Sequence, residues 1–394
     1  MLNSQLALVL CLSFYSCSTY ANVNHFSYKF LSQESKGNAG NIIFSPASVI
    51  GALNIVLDGA KGDTKDQLEI AVGGQESSGV LDGLKKISRP ESKDNQPLKI
   101  AEKIWVDDTT KVVDIFQKKY ENEITEASFI KNSEEVRQQI NDWVAKNADI
   151  KDLFKEGSID SMTRLVLVNA INFKGLWKTP FEKQYTKKSK FMLEDGTKKK
   201  IDLMYQNGNF KMVYEDRYES VEVPYKGDEY NLLVTMPSKK STKIDDFIAQ
   251  MSQEKIQHIF DRMQLFMDGN NIARGGDIEY SQDIDLFLPK FMAKSEFDLK
   301  KSLTKMGVAD LFEQGKADLS GITGDHSLYV SSAVHQAKIE MDEEGTKASA
   351  ATGIGIVAMS LPPRFVVNRP FLFHILHKES GTIIFAGVVK DLGE

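Results

Sequence analysis

Histidine is the side chain best suited to acid–base or metal chemistry near neutral pH, and the chain has six of them. They are His25, His258, His326, His335, His374 and His377. None accompanies a Gly-x-Ser-x-Gly turn or another nucleophile signature, so no hydrolytic triad is predicted. Two of them, His374 and His377, lie three residues apart on a predicted strand, where side chains point to opposite faces and cannot share a metal. We interpret all six as core or surface residues and predict no catalytic residue and no metal site.

Two further patterns could bind phosphate or a polyanion. Gly353 and Gly355 lack the third glycine and the strand-to-helix context of a dinucleotide site. The basic runs Lys187–Lys190 and Lys198–Lys200 are typical of solvated hairpin edges, with a polyanion site such as one for glycosaminoglycan as the alternative. We expect that no cofactor is required.

The segment Met341–Pro363 alternates like a β-strand but consists mostly of small residues. One face would carry Thr346, Ala348, Ala350, Thr352, Ile354 and Ile356, and the other Lys347, Ser349, Ala351, Gly353 and Gly355. No proline interrupts residues 342–361, so the segment could join a central ladder. Its glycines and alanines suit an exposed loop equally well. The pattern therefore predicts a strand with two alternative positions, and an ordinary Ala/Gly linker is the other interpretation.

Composition and charge narrow the class of protein. With 394 residues, 41% hydrophobic and 26% charged, the chain is typical of a globular protein with a large core. A net charge of −6 argues against nucleic acid or an anionic membrane surface as the main partner, because both require a clustered positive field. We expect neither as a partner.

The first residues predict a secretory leader. An apolar run over residues 6–15 is followed by Thr19 and Ala21, placed like the −3 and −1 positions of a cleavage site. The run lacks a preceding Lys or Arg, so a buried N-terminal helix is the alternative. Cleavage after residue 21 would make the protein secreted and extracellular. It would also remove Cys11 and Cys17 and leave no disulfide in residues 22–394.

Hydrophobic periodicity predicts the main elements. Val136, Ile140, Trp143 and Val144 predict a helix capped by Asn132 or Ser133, and residues 299–306 predict another that ends at Gly307. Alternation over 221–236 predicts a hairpin, and the apolar runs within 371–389 predict a second, buried one. Because no repeat or long linker divides the chain, we predict one α+β domain over residues 22–394.

Residues Glu343–Thr352 closely resemble the hinge of an inhibitory serpin. Further segments resemble serpin signatures and occur in the family order across essentially the whole mature chain. These segments are Asn41–Ser48, Leu167–Trp177, Leu288–Phe291, Ala317–Gly321, Val334–Ala337, Asn368–Phe371 and Phe385–Gly387.

The resemblance implies the serpin fold, a single domain of three β-sheets and about nine helices with an exposed reactive-centre loop, here about 343–363. In that family a serine protease of chymotrypsin fold cleaves the loop, stays acylated to it and is trapped when the loop inserts into the main sheet. The implied function is a secreted suicide-substrate inhibitor, not an enzyme, which acts as a monomer. A non-inhibitory serpin (carrier, storage protein or chaperone) is the alternative.

The family spacing places the reactive bond at Met359–Ser360, 14 residues after Gly345. The protease would also contact Ile356, Val357, Ala358 and Leu361. These apolar residues suit chymotrypsin-like or elastase-like enzymes, and the lack of Lys or Arg between Ala348 and Pro363 disfavours a trypsin-like one. A one-residue shift in register would make Ala358 the bait residue. Ser360 is on the leaving side and is not a nucleophile.

The resemblance also assigns two structural regions. The hinge consists of Glu343, Glu344, Gly345, Thr346, Lys347, Ala348, Ser349, Ala350, Ala351 and Thr352, and its small residues favour inhibition. Lys347 and Ser349 depart from the usual Glu and Ala but fall on the outward row, whereas Gly353 and Gly355 would favour substrate turnover. A shutter network beneath the main sheet is implied at Ser45, Ser48, Asn169 and His335; the alternative is that these are ordinary buried polar groups.

Overall fold

The computed structural model describes residues 23–74, 80, 83–84, 97–251, 254–255, 258–259, 283–344 and 362–392. The predicted leader and the predicted hinge and bait residues from Gly345 to Leu361 lie outside these ranges. Within them the chain forms three β-sheets accompanied by helices, which confirms the predicted α+β fold.

The helices are short to medium in length. They are α1 (23–35), α2 (Pro46–Gly59), α3 (Gly62–Val72), α4 (Asp114–Lys119), α5 (Phe129–Ala148), α6 (Ile244–Gln250), α7 (Leu299–Lys305) and α8 (Ser320–Thr323). Among the described residues, no helix combines the length and the apolar character that crossing a bilayer demands.

The strands account for the three sheets. They are β1 (Ile42–Phe44), β2 (Leu98–Asp107), β3 (Ile124–Ala127), β4 (Leu165–Phe173), β5 (Lys187–Met192), β6 (Lys198–Gly208), β7 (Lys211–Tyr214), β8 (Tyr218–Pro224), β9 (Tyr230–Pro237), β10 (Ile284–Pro289), β11 (Phe291–Asp298), β12 (Ser332–Met341), β13 (Arg364–Val366), β14 (Phe371–His377) and β15 (Thr382–Val389). The sheet orders are β11-β12-β4-β2-β3, β1-β15-β14-β9-β8-β7 and β13-β10-β6-β5.

The core lies between the five-stranded and six-stranded sheets, around helix α2. Strand β4 is buried along its whole length, as expected for a central strand covered on both faces. Helix α2 packs against β4 and β15 and is buried on nearly all sides. Its start is well specified, because Pro46 occupies the first turn and the Ser45 hydroxyl accepts the Ser48 N–H.

The structure confirms both predicted hairpins and helix α7, but it corrects the predicted start of helix α5. The hairpins are β8–β9 and β14–β15, each antiparallel. Helix α5 begins at Phe129, earlier than the predicted caps, and Asn132 interrupts it with φ −139° and ψ 45°. The reason is tertiary: Phe129 is fully buried and anchors an extra turn ahead of the kink. Asn132 therefore marks a break inside the helix and does not start it.

Candidate functional site

The five-stranded sheet contains one central seam between parallel strands. Strands β4 and β12 pair directly over eight residue pairs, from Val166–Ser332 to Phe173–Ile339. Their outer neighbours in the sheet, β2 and β11, are both antiparallel to them. The seam is closed in this structure, so a strand entering here would first have to separate β4 from β12.

The four residues assigned to the shutter meet in one buried network under this seam. The Ser45 N–H donates to His335 Nε2 at 3.0 Å, and His335 Nδ1 donates to Asn169 Oδ1 at 2.5 Å. The Asn169 amide donates to the Ser48 carbonyl at 3.0 Å and to its hydroxyl at 2.8 Å. All four residues are fully buried. The network ties α2, which lies beneath the sheet, to β4 and β12 on both sides of the seam.

Burial determines the protonation state of His335. Desolvation lowers its pKa from the usual 6.5 to about 3, although its contact with Asn169 acts in the opposite direction. The geometry agrees, because Nε2 must be unprotonated to accept the Ser45 N–H. His335 is thus a neutral imidazole that uses one nitrogen as donor and the other as acceptor.

This pKa predicts that acid destabilises the folded protein. Between about pH 6.5 and 3 the unfolded chain binds a proton at His335 that the folded chain does not, so stability falls as pH falls through this window. Each such histidine contributes about 1.4 kcal/mol per pH unit well below pH 6.5, and His374, whose pKa burial also lowers to about 3, adds to the slope. Urea unfolding at pH 7.5, 6 and 5 should show this loss. His335→Gln should reduce the slope; a slope equal to that of the wild type would contradict the assignment.

Sequence reasoning missed a carboxylate next to this network. Glu102 on β2 lies directly opposite Asn169 on β4, and its Oε2 is 3.4 Å from the Asn169 amide nitrogen. The side chain is half-buried. Only the β2–β4 register reveals this neighbour, because nothing in the local sequence around residue 102 identifies its cross-strand partner.

The described part of the predicted hinge, Glu343 and Glu344, begins in a firmly held position just after the end of β12. The Trp177 indole donates to the Asp342 carbonyl at 2.7 Å, and the Phe181 N–H donates to the Glu343 carbonyl at 3.0 Å. The Glu343 carboxylate is buried and accepts from Thr186 at 2.9 Å and from Lys290 at 2.7 Å. The chain leaves the sheet from a fixed anchor.

Charge reinforces this anchor. Burial by itself would raise the pKa of Glu343, but the hydrogen bonds from Lys290 and Thr186 outweigh it and hold the pKa below its usual value. Glu344, the next residue, is exposed and pairs with Lys183. Glu343 is therefore a structural ion-pair residue, and Glu344 is the first residue of the predicted hinge whose side chain is exposed.

The remaining sequence-predicted candidates are the basic runs and the two histidines of β14. The two basic runs form an exposed hairpin, as predicted, with Lys190 directly opposite Lys200. His374 contacts the Tyr28 hydroxyl at 2.9 Å, and His377 contacts Ser380 at 2.8 Å. No group of three or more metal-ligating side chains occurs among the residues that the structure describes.

Comparisons with known proteins agree with this architecture. A family model described as "Serpin (serine protease inhibitor)" matches residues 21–392. Serpin B9 from Homo sapiens is 34% identical over 372 residues, covering 91% of this chain and 94% of the relative. Leukocyte elastase inhibitor from Xenopus tropicalis is 32% identical, covering 92% and 96%.

A solved structure shows the same fold. The crystal structure of native protease nexin-1 with heparin has 29% sequence identity and a TM-score of 0.82, and it covers 95% of this chain and 100% of that one. The family model and the solved structure both match nearly the whole length of the chain. The chain belongs to the serpin family.

Proposed function

We propose that this protein is a suicide-substrate inhibitor of serine endopeptidases, which traps its target after cleavage at Met359–Ser360. The observation that carries the proposal is the closed parallel seam between β4 and β12, together with the anchored end of β12, after which the proposed reactive loop follows in the sequence. The loop would insert into that seam.

The chain path makes insertion favourable. A segment that turns back from the end of β12 runs antiparallel to β12, and therefore also antiparallel to β4. Insertion would replace one parallel ladder by two antiparallel ones, which are slightly more stable per residue. New ladder bonds at about 0.5–1.5 kcal/mol each sum to the order of 10 kcal/mol over the loop. The form with the loop outside the sheet is therefore higher in free energy than the inserted form.

The protease supplies the catalytic groups, and this chain supplies the peptide bond that is cleaved. The protease serine oxygen attacks the Met359 carbonyl carbon, the bond to the Ser360 nitrogen breaks, and the new Ser360 amine takes up a proton. An ester then joins the protease to Met359. Insertion that is faster than hydrolysis of this ester carries the protease along the sheet and traps it.

The apolar residues before the reactive bond support a chymotrypsin-like or elastase-like target. A methionine at the cleaved position fits an apolar specificity pocket, and Ile356, Val357 and Ala358 extend the apolar surface. That a relative is named "Leukocyte elastase inhibitor" agrees with this assignment.

The direct test mixes the purified protein with chymotrypsin and, separately, with leukocyte elastase. We expect a complex that survives denaturing gel electrophoresis and a lost C-terminal peptide that begins at Ser360 by mass spectrometry. Cleaved protein together with fully active protease would contradict trapping and would favour a non-inhibitory serpin, acting as a carrier, storage protein or chaperone.

Replacing the bait residue should change the target. Met359→Arg should raise the rate constant for trypsin inhibition by at least about 100-fold and lower that for chymotrypsin similarly, because the side chain at this position enters the specificity pocket. Ala358→Arg is the matched control and should not change the target from chymotrypsin to trypsin. If Ala358→Arg caused this change instead, the reactive bond would lie one residue earlier.

We propose that the protein acts outside the cell, as a monomer and without a required cofactor. The apolar leader supports secretion, and the family match begins only at residue 21. Expression of the full chain in insect cells should deliver a protein to the medium whose N-terminal residue is Asn22; retention in the cell with an intact N-terminus would contradict secretion.

A further inference from the structure

A groove of about 510 Å³ crosses one face of the four-stranded sheet. Its floor is aromatic: Tyr205 on β6 and Phe287 on β10 are cross-strand partners, with ring centroids 5.0 Å apart. Tyr185 meets Tyr205 edge-on at 6.0 Å and forms one wall. All three rings remain partly exposed to solvent. A concave, partly open aromatic surface of this size is typical of a binding site.

The groove is positively charged although the protein as a whole is negative. The Arg364 guanidinium lies over the Phe287 ring at 4.8 Å, and Lys187 lies on the opposite edge strand. Among the described residues, neither forms an ion pair. The groove's carboxylate, Asp285, already accepts from the Tyr205 hydroxyl at 2.9 Å and from the Asn207 amide at 3.1 Å. The guanidinium stacks on the ring, and because Arg364 is exposed, its N–H groups are accessible to a carboxylate.

The groove residue Arg364 follows the proposed reactive bond closely in the chain. Four residues separate it from Ser360, and a chain of that length spans at most roughly 14 Å. A protease domain of roughly 230 residues is about 45 Å across. A protease bound at Met359–Ser360 therefore extends well beyond Arg364, far enough to contact the groove.

We propose that this groove is a second contact site for the protease that the loop traps, and that it binds a protease surface segment carrying Asp or Glu beside an apolar side chain. The inference rests on the proposed function above. The carboxylate pairs with Arg364 or Lys187, and the apolar group packs on Tyr205 and Phe287. Because complementary charge mainly accelerates encounter, the groove sets how fast a protease is captured and leaves the site of cleavage unchanged.

The test uses whichever protease forms the denaturant-stable complex fastest in the assay above. The second-order rate constant of inhibition and the stoichiometry are measured for the wild type and for the double variant Lys187→Glu, Arg364→Glu, at 20 mM and 150 mM salt. We expect the rate constant at low salt to fall at least about 10-fold and to lose most of its dependence on salt, with unchanged stoichiometry.

The matched control is Lys190→Glu, Lys200→Glu, which makes the same change in net charge on the opposite face of the same hairpin. Its rate constant should stay within about 2-fold of the wild type. A wild-type rate in the first variant would overturn the proposal, as would equal losses in both, because the effect would then follow from overall charge. Thermal unfolding midpoints check that both variants fold.

A binding experiment without cleavage tests the groove proposal separately from the proposal that the protein traps proteases. Each protease in its catalytic Ser→Ala form is titrated against the wild type and the Lys187→Glu, Arg364→Glu variant, and binding is measured by surface plasmon resonance. Weaker binding by the variant supports the groove as a protease contact site, even if no stable complex forms. The lack of a stable complex would instead overturn the proposal that the protein traps the protease. Equal binding by the wild type and the variant overturns the groove proposal, whether or not the protein traps the protease.

Discussion

A Thr346→Arg variant is expected to be cleaved by its target protease without trapping it. Thr346 opens the row of uncharged residues that would face inward when the loop becomes a strand between β4 and β12. Both neighbouring strands are buried along most of their length, so the arginine would be carried into a largely buried sheet. Burying an unpaired charge costs several kcal/mol, against a driving force of the order of 10 kcal/mol for the whole loop.

The position of the charge explains why the effect on inhibition should be large. Insertion competes with hydrolysis of the acyl-enzyme, and a barrier at the first inserted residues delays the whole process. A delay worth 1.4 kcal/mol slows insertion about tenfold. We therefore expect the stoichiometry of inhibition to rise above about ten inhibitor molecules per protease, measured by titrating residual protease activity.

Ser349→Arg is the matched control for this prediction. It introduces the same side chain three residues later on the outward row, beside Lys347, where the arginine remains in solvent after insertion. This variant should keep a stoichiometry close to that of the wild type. If Ser349→Arg lost trapping and Thr346→Arg kept it, the assignment of inward and outward rows would be reversed.

His335→Ala is expected to cause the largest loss of stability. The substitution removes the acceptor of the Ser45 N–H and the donor to Asn169 Oδ1. The buried Ser45 N–H then loses its partner, while Asn169 Oδ1 keeps the Ser48 hydroxyl at 3.1 Å. A buried unpaired group costs about 1–3 kcal/mol, and the lost bond to Asn169 and the cavity left by the ring add to this. We expect a total loss of about 3 kcal/mol or more and a thermal midpoint at least about 5 °C lower.

The same variant should also release the closed seam. His335 on β12 and Asn169 on β4 lie opposite each other across it, and both reach α2 through Ser45 and Ser48. Without this link we expect the purified variant to lose inhibitory activity during incubation at 37 °C, through loop insertion within or between molecules. Native gels should show the altered form alongside the activity loss.

His377→Ala provides the comparison for the loss of stability. His377 lies at the end of β14, half-buried, and its contact with Ser380 is within the same hairpin. This substitution should cost less than about 1 kcal/mol. A thermal midpoint for His335→Ala no lower than that of His377→Ala would contradict a structural role for the network.

Local sequence determined those features that depend on neighbours a few residues away. The hairpins β8–β9 and β14–β15 follow from alternation around a short turn, and helix α7 ends where Gly307 adopts a φ of +99°. The ordered motifs led to the three-sheet fold and to the four shutter residues, which the structure brings into contact. The alternation from Thr346 to Ile356 determined the proposed inward row in the same way.

Only the tertiary structure decided the contacts between residues distant in the chain. Glu102 meets Asn169 because β2 pairs with β4, and Glu343 is anchored because Lys290 and Thr186 converge on it. The groove combines residues from Tyr185 to Val366, drawn from four strands and the turn before β5. A strand's own pattern specifies which side chains share a face, but the identity and register of its partner depend on packing over the whole core. For that reason the sequence predicted the bait residue Met359 and the inward row from Thr346 to Ile356. The anchor at Glu343, the carboxylate of Glu102 and the groove on the four-stranded sheet became apparent only from the fold.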